Sequence, residues 1–194
     1  MYYDFEVGKL KKFFIQFFLL LITVVLTSAY TDMRIIKNEK TYTENAQFIE
    51  EYLKKNAGYS EMMKFTKVPR GLIVSVDEKY LFNNGSTKIK LSGTRILNDF
   101  LIILQRTKTR CVIEGHTENN HFEGKPYEYD WELSLLRAGN ITKYFIKYGG
   151  IAPNRLFTLG FGEYMPAVDN VDKKIHINNR IDFVFLDYAK NTRQ

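Results

Sequence analysis

Residues 110–118 read RCVIEGHTE and residues 130–150 read DWELSLLRAGNITKYFIKYGG, and these two stretches contain the clearest strand and helix patterns in the chain. The first opens with a β-rich apolar run, which predicts a strand at Arg110–Gly115. The second has apolar residues at helical spacing and ends in two glycines, which predicts a helix at Asp130–Tyr148. A strand followed by a helix of this length is typical of an α/β domain.

The same two patterns recur on both sides of this unit. The sequence predicts further strands at Gly71–Val76, Leu156–Phe161 and Arg180–Leu186, and a helix at Leu91–Arg106. The expected fold is therefore an α/β (α+β) two-layer sandwich of β-α-β-α-β-β order, over residues 69–188. A short tail, residues 189–194, follows it.

Residues 13–30 contain no charged side chain, and residues 13–26 read FFIQFFLLLITVVL. This is just long enough to cross a membrane as a helix. The sequence predicts an uncleaved anchor after a cytoplasmic tail, residues 1–12, and the competing interpretation is a signal peptide cleaved after Ala29.

Residues 31–68 are expected to link the anchor to the folded domain. Within them, Thr41 and Glu44 have the spacing of a capping box, which predicts the start of an amphipathic helix that ends near Asn56. Its apolar stripe would pack on the domain or on a second copy of the chain.

Composition excludes several classes of protein. The chain has 194 residues, a net charge of +6 and a single cysteine, so it holds no internal disulfide framework and no multi-cysteine zinc site. We expect Cys111 to be a buried apolar residue, and the three histidines lack metal-ligand spacing. No catalytic residue, cofactor or metal is predicted, and the positive charge alone suits nucleic acid, a membrane surface or a wall polymer.

Glu118 and Arg137 are the residues that suggest ligand binding. Glu118 follows a predicted strand, and Arg137 lies on the helix that comes after it. A carboxylate and a guanidinium facing one loop could hold a zwitterion, with the arginine binding a ligand carboxylate in a bidentate manner. The simpler interpretation is that they pair with each other or lie in solvent.

Four ordered motifs resemble the OmpA-like peptidoglycan-binding domain. They are GHTE (115–118), DWELSLLRAGNITKYF (130–145), RLFTLGFGEYMPA (155–167) and NNRIDF (178–183). Upstream, GLIVSVDEKYLFNNGSTKIKLSG (71–93) is similar to the first strand and loop of that family. The resemblance covers nearly the whole predicted domain.

The resemblance implies that the domain binds the diaminopimelate stem peptide of peptidoglycan without catalysis, and that it binds no nucleic acid. The family's acid and arginine, which hold the zwitterionic end of diaminopimelate, correspond to Glu118 and Arg137. The other implied site residues are Thr117, Asp130, Asn178 and Arg180. Three positions depart from the family pattern: Glu118 replaces Asp, Asp130 replaces Asn, and Asn179 replaces the first Arg of N-R-R.

The sequence WELS (131–134) and the single apolar segment before the domain resemble the MotB branch of the family. This implies a bacterial inner-membrane protein with a periplasmic domain, a homodimer and a MotA-like partner. The alternative function is thus a stator subunit of an ion-driven motor. Residues 13–30 lack the acid that such an ion path needs, which leaves Asp4 as a displaced carrier. An enzyme acting on the wall is disfavoured because no nucleophile or zinc triad is recognisable.

Overall fold

The computed structural model describes residues 2–55, 59, 62–117, 129–167 and 178–186. Its helices and strands, in chain order, are α1 (Tyr2–Lys55), β1 (Met63–Val68), β2 (Gly71–Asp77), α2 (Leu91–Thr107), β3 (Cys111–His116), α3 (Asp130–Gly149), β4 (Leu156–Gly162) and β5 (Arg180–Leu186). The predicted strands and helices are confirmed to within one or two residues at each end.

The strands form one five-stranded sheet in the order β1-β2-β5-β3-β4. β3 and β4 are parallel, and the other neighbouring pairs are antiparallel. β1 was not predicted from the sequence, because it precedes residue 69, where the domain was expected to begin. β1 is an edge strand with exposed lysines at Lys64 and Lys67, and such a strand lacks a clear apolar pattern.

α2 and α3 pack on one face of the sheet, which confirms the two-layer architecture. Phe100 of α2 stacks on Phe183 of β5, with ring centroids 3.9 Å apart. Phe145 of α3 lies against the same ring at 6.1 Å, and all three side chains are fully buried. The core therefore lies between the helices and the central strand β5.

Two glycines allow α3 to approach the sheet closely. A Cβ on Gly115 would lie 2.1 Å from the backbone oxygen of Ser134, and one on Gly160 would lie 2.5 Å from the Cβ of Leu135. Ser134 also accepts a hydrogen bond at 3.0 Å from the Gly162 backbone N–H at the end of β4. The position of α3 is thus fixed against the ends of β3 and β4, where the predicted site lies.

α1 is one continuous helix through the region expected to be a linker. The predicted helix start at Thr41 is wrong, because the Thr41 hydroxyl donates back to the Lys37 carbonyl at 2.9 Å instead of capping a new helix. Ala46, Ile49 and Leu53 on its C-terminal part are buried in the core of the domain. The apolar stripe of this helix therefore packs on the domain, which was one of the two expected arrangements, the other being contact with a second copy of the chain.

Two tyrosines reinforce this docking. The hydroxyls of Tyr52 and Tyr59 donate to the Asp99 carboxylate of α2 at 3.2 and 2.5 Å. Burial, followed by the hydrogen bond to Asp99, raises the pKa of Tyr59 well above its ordinary value. The Tyr59 hydroxyl therefore stays protonated and donates throughout the physiological pH range.

Phe14–Arg34 is long and apolar enough to cross a membrane, and it is the one such segment in the described part of the chain. Its mean hydropathy is 2.0 and none of it is buried. At 1.5 Å per residue the segment is about 31 Å long, which matches the hydrocarbon core of a bilayer.

The close approach of α3 predicts a large effect for one added methyl group. Gly115→Ala should lower the free energy of unfolding by about 3 kcal/mol, because the rigid backbone at Ser134 must move. The measurement is urea unfolding of the full chain in detergent micelles, followed by the fluorescence of the single tryptophan, Trp131.

Gly139→Ala is the matched control on the same helix. No atom lies within 4 Å of the position of its added Cβ, so alanine should be neutral or stabilising by up to about 1 kcal/mol. Equal stability of the two variants would contradict the proposed packing of α3 on β3.

Candidate functional site

Thr117 and Asp130 meet where β3 ends and α3 begins. Thr117 is 2% exposed, and its hydroxyl donates to the Asp130 backbone oxygen at 2.9 Å. Its backbone N–H donates to Gly162 O at 3.1 Å, which ties the same point to the end of β4. The structure therefore brings these two predicted site residues together.

Arg137 is buried in the domain, with 1% of its surface exposed. Its guanidinium forms an ion pair with the Glu78 carboxylate, which follows β2. Its Nε donates to Ser86 O at 2.8 Å, and its Nη2 lies 3.4 Å from Asn83 O. Arg137 is therefore not solvent-exposed, and it holds the segment 82–86 against α3.

Asn178 and Arg180 lie before and at the start of β5, and both are buried. The Asn178 side-chain oxygen accepts from the Ala167 backbone N–H at 3.0 Å, and Arg180 Nη2 donates to Met165 O at 3.2 Å. Both side chains thus hold the segment that follows β4. Glu118 lies outside the described residues.

Arg180 also belongs to a charged cluster on the sheet face opposite the helices. Its Nε donates to Asp182 Oδ2 at 2.9 Å, and His116 Nε2 lies 3.3 Å from the same oxygen. Beside them, Arg70 grips Glu114 in a bidentate manner at 2.6 and 2.7 Å. Each of these arginines therefore faces a carboxylate.

Asp182 is held in its ionised form despite its burial. Burial alone would raise the pKa of Asp182, but the hydrogen bond from His116, the charge of Arg180 and a hydrogen bond from Ser75 outweigh it. The net effect places the pKa of Asp182 below its ordinary value. The cluster is thus an ion-pair network that is stable at neutral pH.

The described residues offer one group with suitable ligand atoms for a metal, namely Glu114, His116 and Asp182, whose ligand atoms lie within 4.8 Å of one another. Both carboxylates are already engaged by arginines, so a divalent cation there would add charge to a balanced cluster. The arrangement therefore favours ion pairing over metal binding.

Cys111 is fully buried, as the sequence predicted. Burial, followed by the nearby charge of Glu114, raises the pKa of the Cys111 thiol far above its ordinary value. The reactive form of cysteine is the thiolate. This thiol is therefore unsuited to act as a nucleophile.

The carboxylates that pair with Arg137, Arg180 and Arg70 were not predicted from the sequence. Glu78 lies just outside a predicted strand and carries no motif. Glu114 and Asp182 gave a usable signal, because each is a charged residue inside an otherwise apolar strand. Such a position is normally buried and requires a partner of opposite charge.

Known proteins share this arrangement of strands, helices and motifs. The model of the OmpA family matches residues 81–180, and the chain therefore belongs to the OmpA family. The match contains all six residues predicted for the site. The family's domains are non-enzymatic anchors to the cell wall.

Curated relatives match three quarters of the chain at low identity. The uncharacterised protein YtxE of Bacillus subtilis is 25% identical over 149 residues, 76% of this chain and 61% of its own length. Motility protein B of the same organism is 23% identical over 77% of this chain and 55% of its own length. The chain thus spans a little over half the length of these relatives.

Solved structures confirm the fold. A MotB-like protein from Desulfovibrio vulgaris has a TM-score of 0.66 at 24% identity, over 79% of this chain and 96% of that one. The cell wall anchor of a type VI secretion system from Pseudomonas aeruginosa gives 0.63 at 19% identity, over 71% and 96%. The periplasmic domain of Helicobacter pylori MotB gives 0.59 at 21%, over 67% and 85%.

The ion-pair network predicts a loss of stability in acid. Because the folded-state pKa of Asp182 is lowered, its stabilisation is fully present above the unfolded-state pKa and is lost as pH falls through the folded-state pKa. Asp182→Asn should cost about 3–5 kcal/mol at pH 7 and should flatten the decline in stability below about pH 5.

Urea unfolding at a series of pH values measures both effects. Glu44→Gln is the control, since Glu44 forms an exposed pair with Lys40 on α1 at 4.0 Å and should change stability by less than about 0.5 kcal/mol. If the stability of Asp182→Asn declined below pH 5 as steeply as that of the unmodified chain, Asp182 would not be the source of the acid sensitivity.

Proposed function

We propose that this chain is a non-catalytic tether that connects a membrane to the cell wall by binding peptidoglycan through residues 69–188. The observation that carries the proposal is the OmpA family match over residues 81–180. One of the similar structures is itself described as a cell wall anchor. The conformity of fold and motifs over this stretch supports the same role here.

The ligand in this proposal is the zwitterionic end of diaminopimelate in the stem peptide. Glu118 takes its ammonium group and Arg137 takes its carboxylate, as the family resemblance implies. Arg180 is the second arginine assigned to the site. Thr117, Asp130 and Asn178 shape the pocket through the backbone contacts described above. An acid and two arginines suit a ligand that carries both charges.

Arg180 supplies a structural argument for an anionic ligand. Its Nη1 is buried and has no hydrogen-bond partner within the described part of the chain. A buried donor without a partner costs free energy, and a ligand carboxylate would satisfy it. The other two nitrogens already hold Asp182 and Met165, so the side chain is fixed in place before binding.

Arg137 already has an ion-pair partner with which a ligand carboxylate must compete. Its guanidinium pairs with Glu78, so a ligand carboxylate must share or displace that contact. Removing the charge of Glu78 should therefore leave binding intact or strengthen it. Removing Arg137 should weaken binding.

The membrane end of the tether is Phe14–Arg34. We infer an uncleaved single-pass anchor in the bacterial inner membrane with the domain on the periplasmic side. Ala46, where α1 docks on the domain, lies twelve positions after Arg34, a rise of about 18 Å along the helix. A cleaved signal remains the competing proposal, and the homodimer remains a prediction.

A second candidate function is a stator-type subunit working with a MotA-like partner. The observation that favours it is the similarity to Motility protein B over 77% of this chain. Against it, the apolar segment contains no acidic residue before Asp32, close to its C-terminal end. An ion path normally requires an acid inside the membrane, so the tether is preferred.

Co-sedimentation with diaminopimelate-type peptidoglycan tests the tether. The full chain in detergent should pellet with it, and Glu118→Gln should weaken binding by about 10- to 150-fold, the effect of losing one charge-assisted hydrogen bond. The double variant Glu78→Gln/Arg137→Met should bind as poorly. It removes both charges of the pair together, and therefore avoids leaving Glu78 unpaired.

Glu78→Gln alone is the matched control, since it keeps the arginine. It loses stability because Arg137 is left without its counter-charge, but under conditions where circular dichroism shows it folded it should bind at least as well as the unmodified chain. Wild-type binding by the folded double variant would exclude Arg137 from the site. Failure of the unmodified chain to pellet would overturn the proposed function.

A further inference from the structure

A basic and aromatic cleft lies beside the predicted site. It has a volume of about 480 Å³ and is open to solvent. One wall is the segment 87–89, and the other is the face of α3 that carries Lys143, Tyr144, Lys147 and Tyr148. We call it the lysine–tyrosine cleft.

The cleft is adjacent to the segment held by Arg137 but uses other residues. Arg137 bonds to Ser86 O, and one turn further along α3 the Asn140 side chain donates to Thr87 O at 2.9 Å. Tyr144 donates from its hydroxyl to Asn98 of α2 at 2.8 Å. The walls are therefore fixed to each other by hydrogen bonds.

The charge of the cleft is of one sign. Lys88, Lys143 and Lys147 line it, and no carboxylate is among the lining residues. All three lysines are exposed, and none forms an ion pair within the described part of the chain. Lysine side chains that line one cleft from two elements without an ion-pair partner favour an anion, and lysine ammonium groups bind phosphate as point charges.

The tyrosines add a second kind of recognition. The rings of Tyr144 and Tyr148 lie with centroids 4.9 Å apart, and Tyr148 is 64% exposed. Lys147 Nζ lies 5.1 Å from the centre of the Tyr148 ring, so one charge and one aromatic face are presented together. A tyrosine offers an apolar face with a polar tip, which suits a sugar or polyol unit that has both C–H and O–H groups.

We propose that the lysine–tyrosine cleft binds a phosphate-bearing carbohydrate polymer of the cell wall. The lysines contact the phosphates, and Tyr148 contacts the sugar or polyol unit between them. The proposal shares with the tether only the placement of the domain on the wall side of the membrane. The cleft lies next to the stem-peptide site, so one domain would hold two wall components.

Walls treated with hydrofluoric acid separate the two sites, because the acid cleaves phosphodiester-linked polymers and leaves peptidoglycan. The full chain in detergent should bind untreated walls more tightly than treated ones. Lys143→Gln/Lys147→Gln should lose this difference, with about 30-fold weaker binding to untreated walls, at about 1 kcal/mol per lysine, and unchanged binding to treated walls. Tyr148→Ser should lose part of the difference.

Lys55→Gln/Lys64→Gln is the matched control, with the same loss of charge at exposed lysines elsewhere. It should bind like the unmodified chain, and an equal loss in this control would overturn the cleft in favour of general charge attraction. Equal binding of Lys143→Gln/Lys147→Gln and the unmodified chain to untreated walls would also overturn it.

Two further outcomes would overturn the assigned ligand. Weaker binding of Lys143→Gln/Lys147→Gln to treated walls as well would make peptidoglycan itself the ligand.

A competition experiment tests whether the cleft binds lipid. Vesicles containing phosphatidylglycerol are added to walls and to the chain held in nanodiscs of phosphatidylcholine. If these vesicles compete for the unmodified chain and not for the lysine variant, the cleft contacts a lipid surface instead. Neither result depends on the Glu118 and Arg137 variants, so the tether and the cleft can fail separately.

Discussion

The burial of Arg137 is the constraint on which the rest of this domain depends. A guanidinium that is 1% exposed cannot remain without a counter-charge, and Glu78 provides it. The same side chain bonds to Ser86 O, so the segment after β2 cannot leave α3 without exposing a buried charge. One arginine therefore joins the first part of the domain to the helix that carries the predicted site.

The position of α3 is set from its other side by close backbone contacts. Gly115 and Gly160 leave no room for a side chain between α3 and the parallel strands β3 and β4. Thr117 and Asp130 meet as a consequence, because the end of β3 and the start of α3 are held together. On the opposite face of the sheet, Arg180 is fixed by Asp182. Helices and strands thus hold the charged side chains of the domain in fixed positions before any ligand binds. Such preorganisation suits binding without catalysis.

The sequence predicted most of the fold because its apolar periods are strong. It failed at β1, where edge exposure weakens the pattern, and at Thr41, where a capping-box spacing occurs inside a continuous helix. For the candidate site, the motifs predict Thr117, Asp130, Arg137, Asn178 and Arg180 as members, but they do not predict the residues with which these side chains pair. Glu78 pairs with a residue 59 positions away, and no local pattern records such a contact. Burial of Arg137 likewise follows from tertiary packing alone.

The proposed site must recognise an ammonium and a carboxylate together. The most direct test is calorimetric titration of the full chain in detergent with two stem tripeptides, one carrying diaminopimelate and one carrying lysine at the same position. Lysine keeps the ammonium and lacks the second carboxylate, so we expect its tripeptide to bind at least about tenfold more weakly, the effect of one lost charge-assisted hydrogen bond. Equal affinity for the two tripeptides would contradict the account.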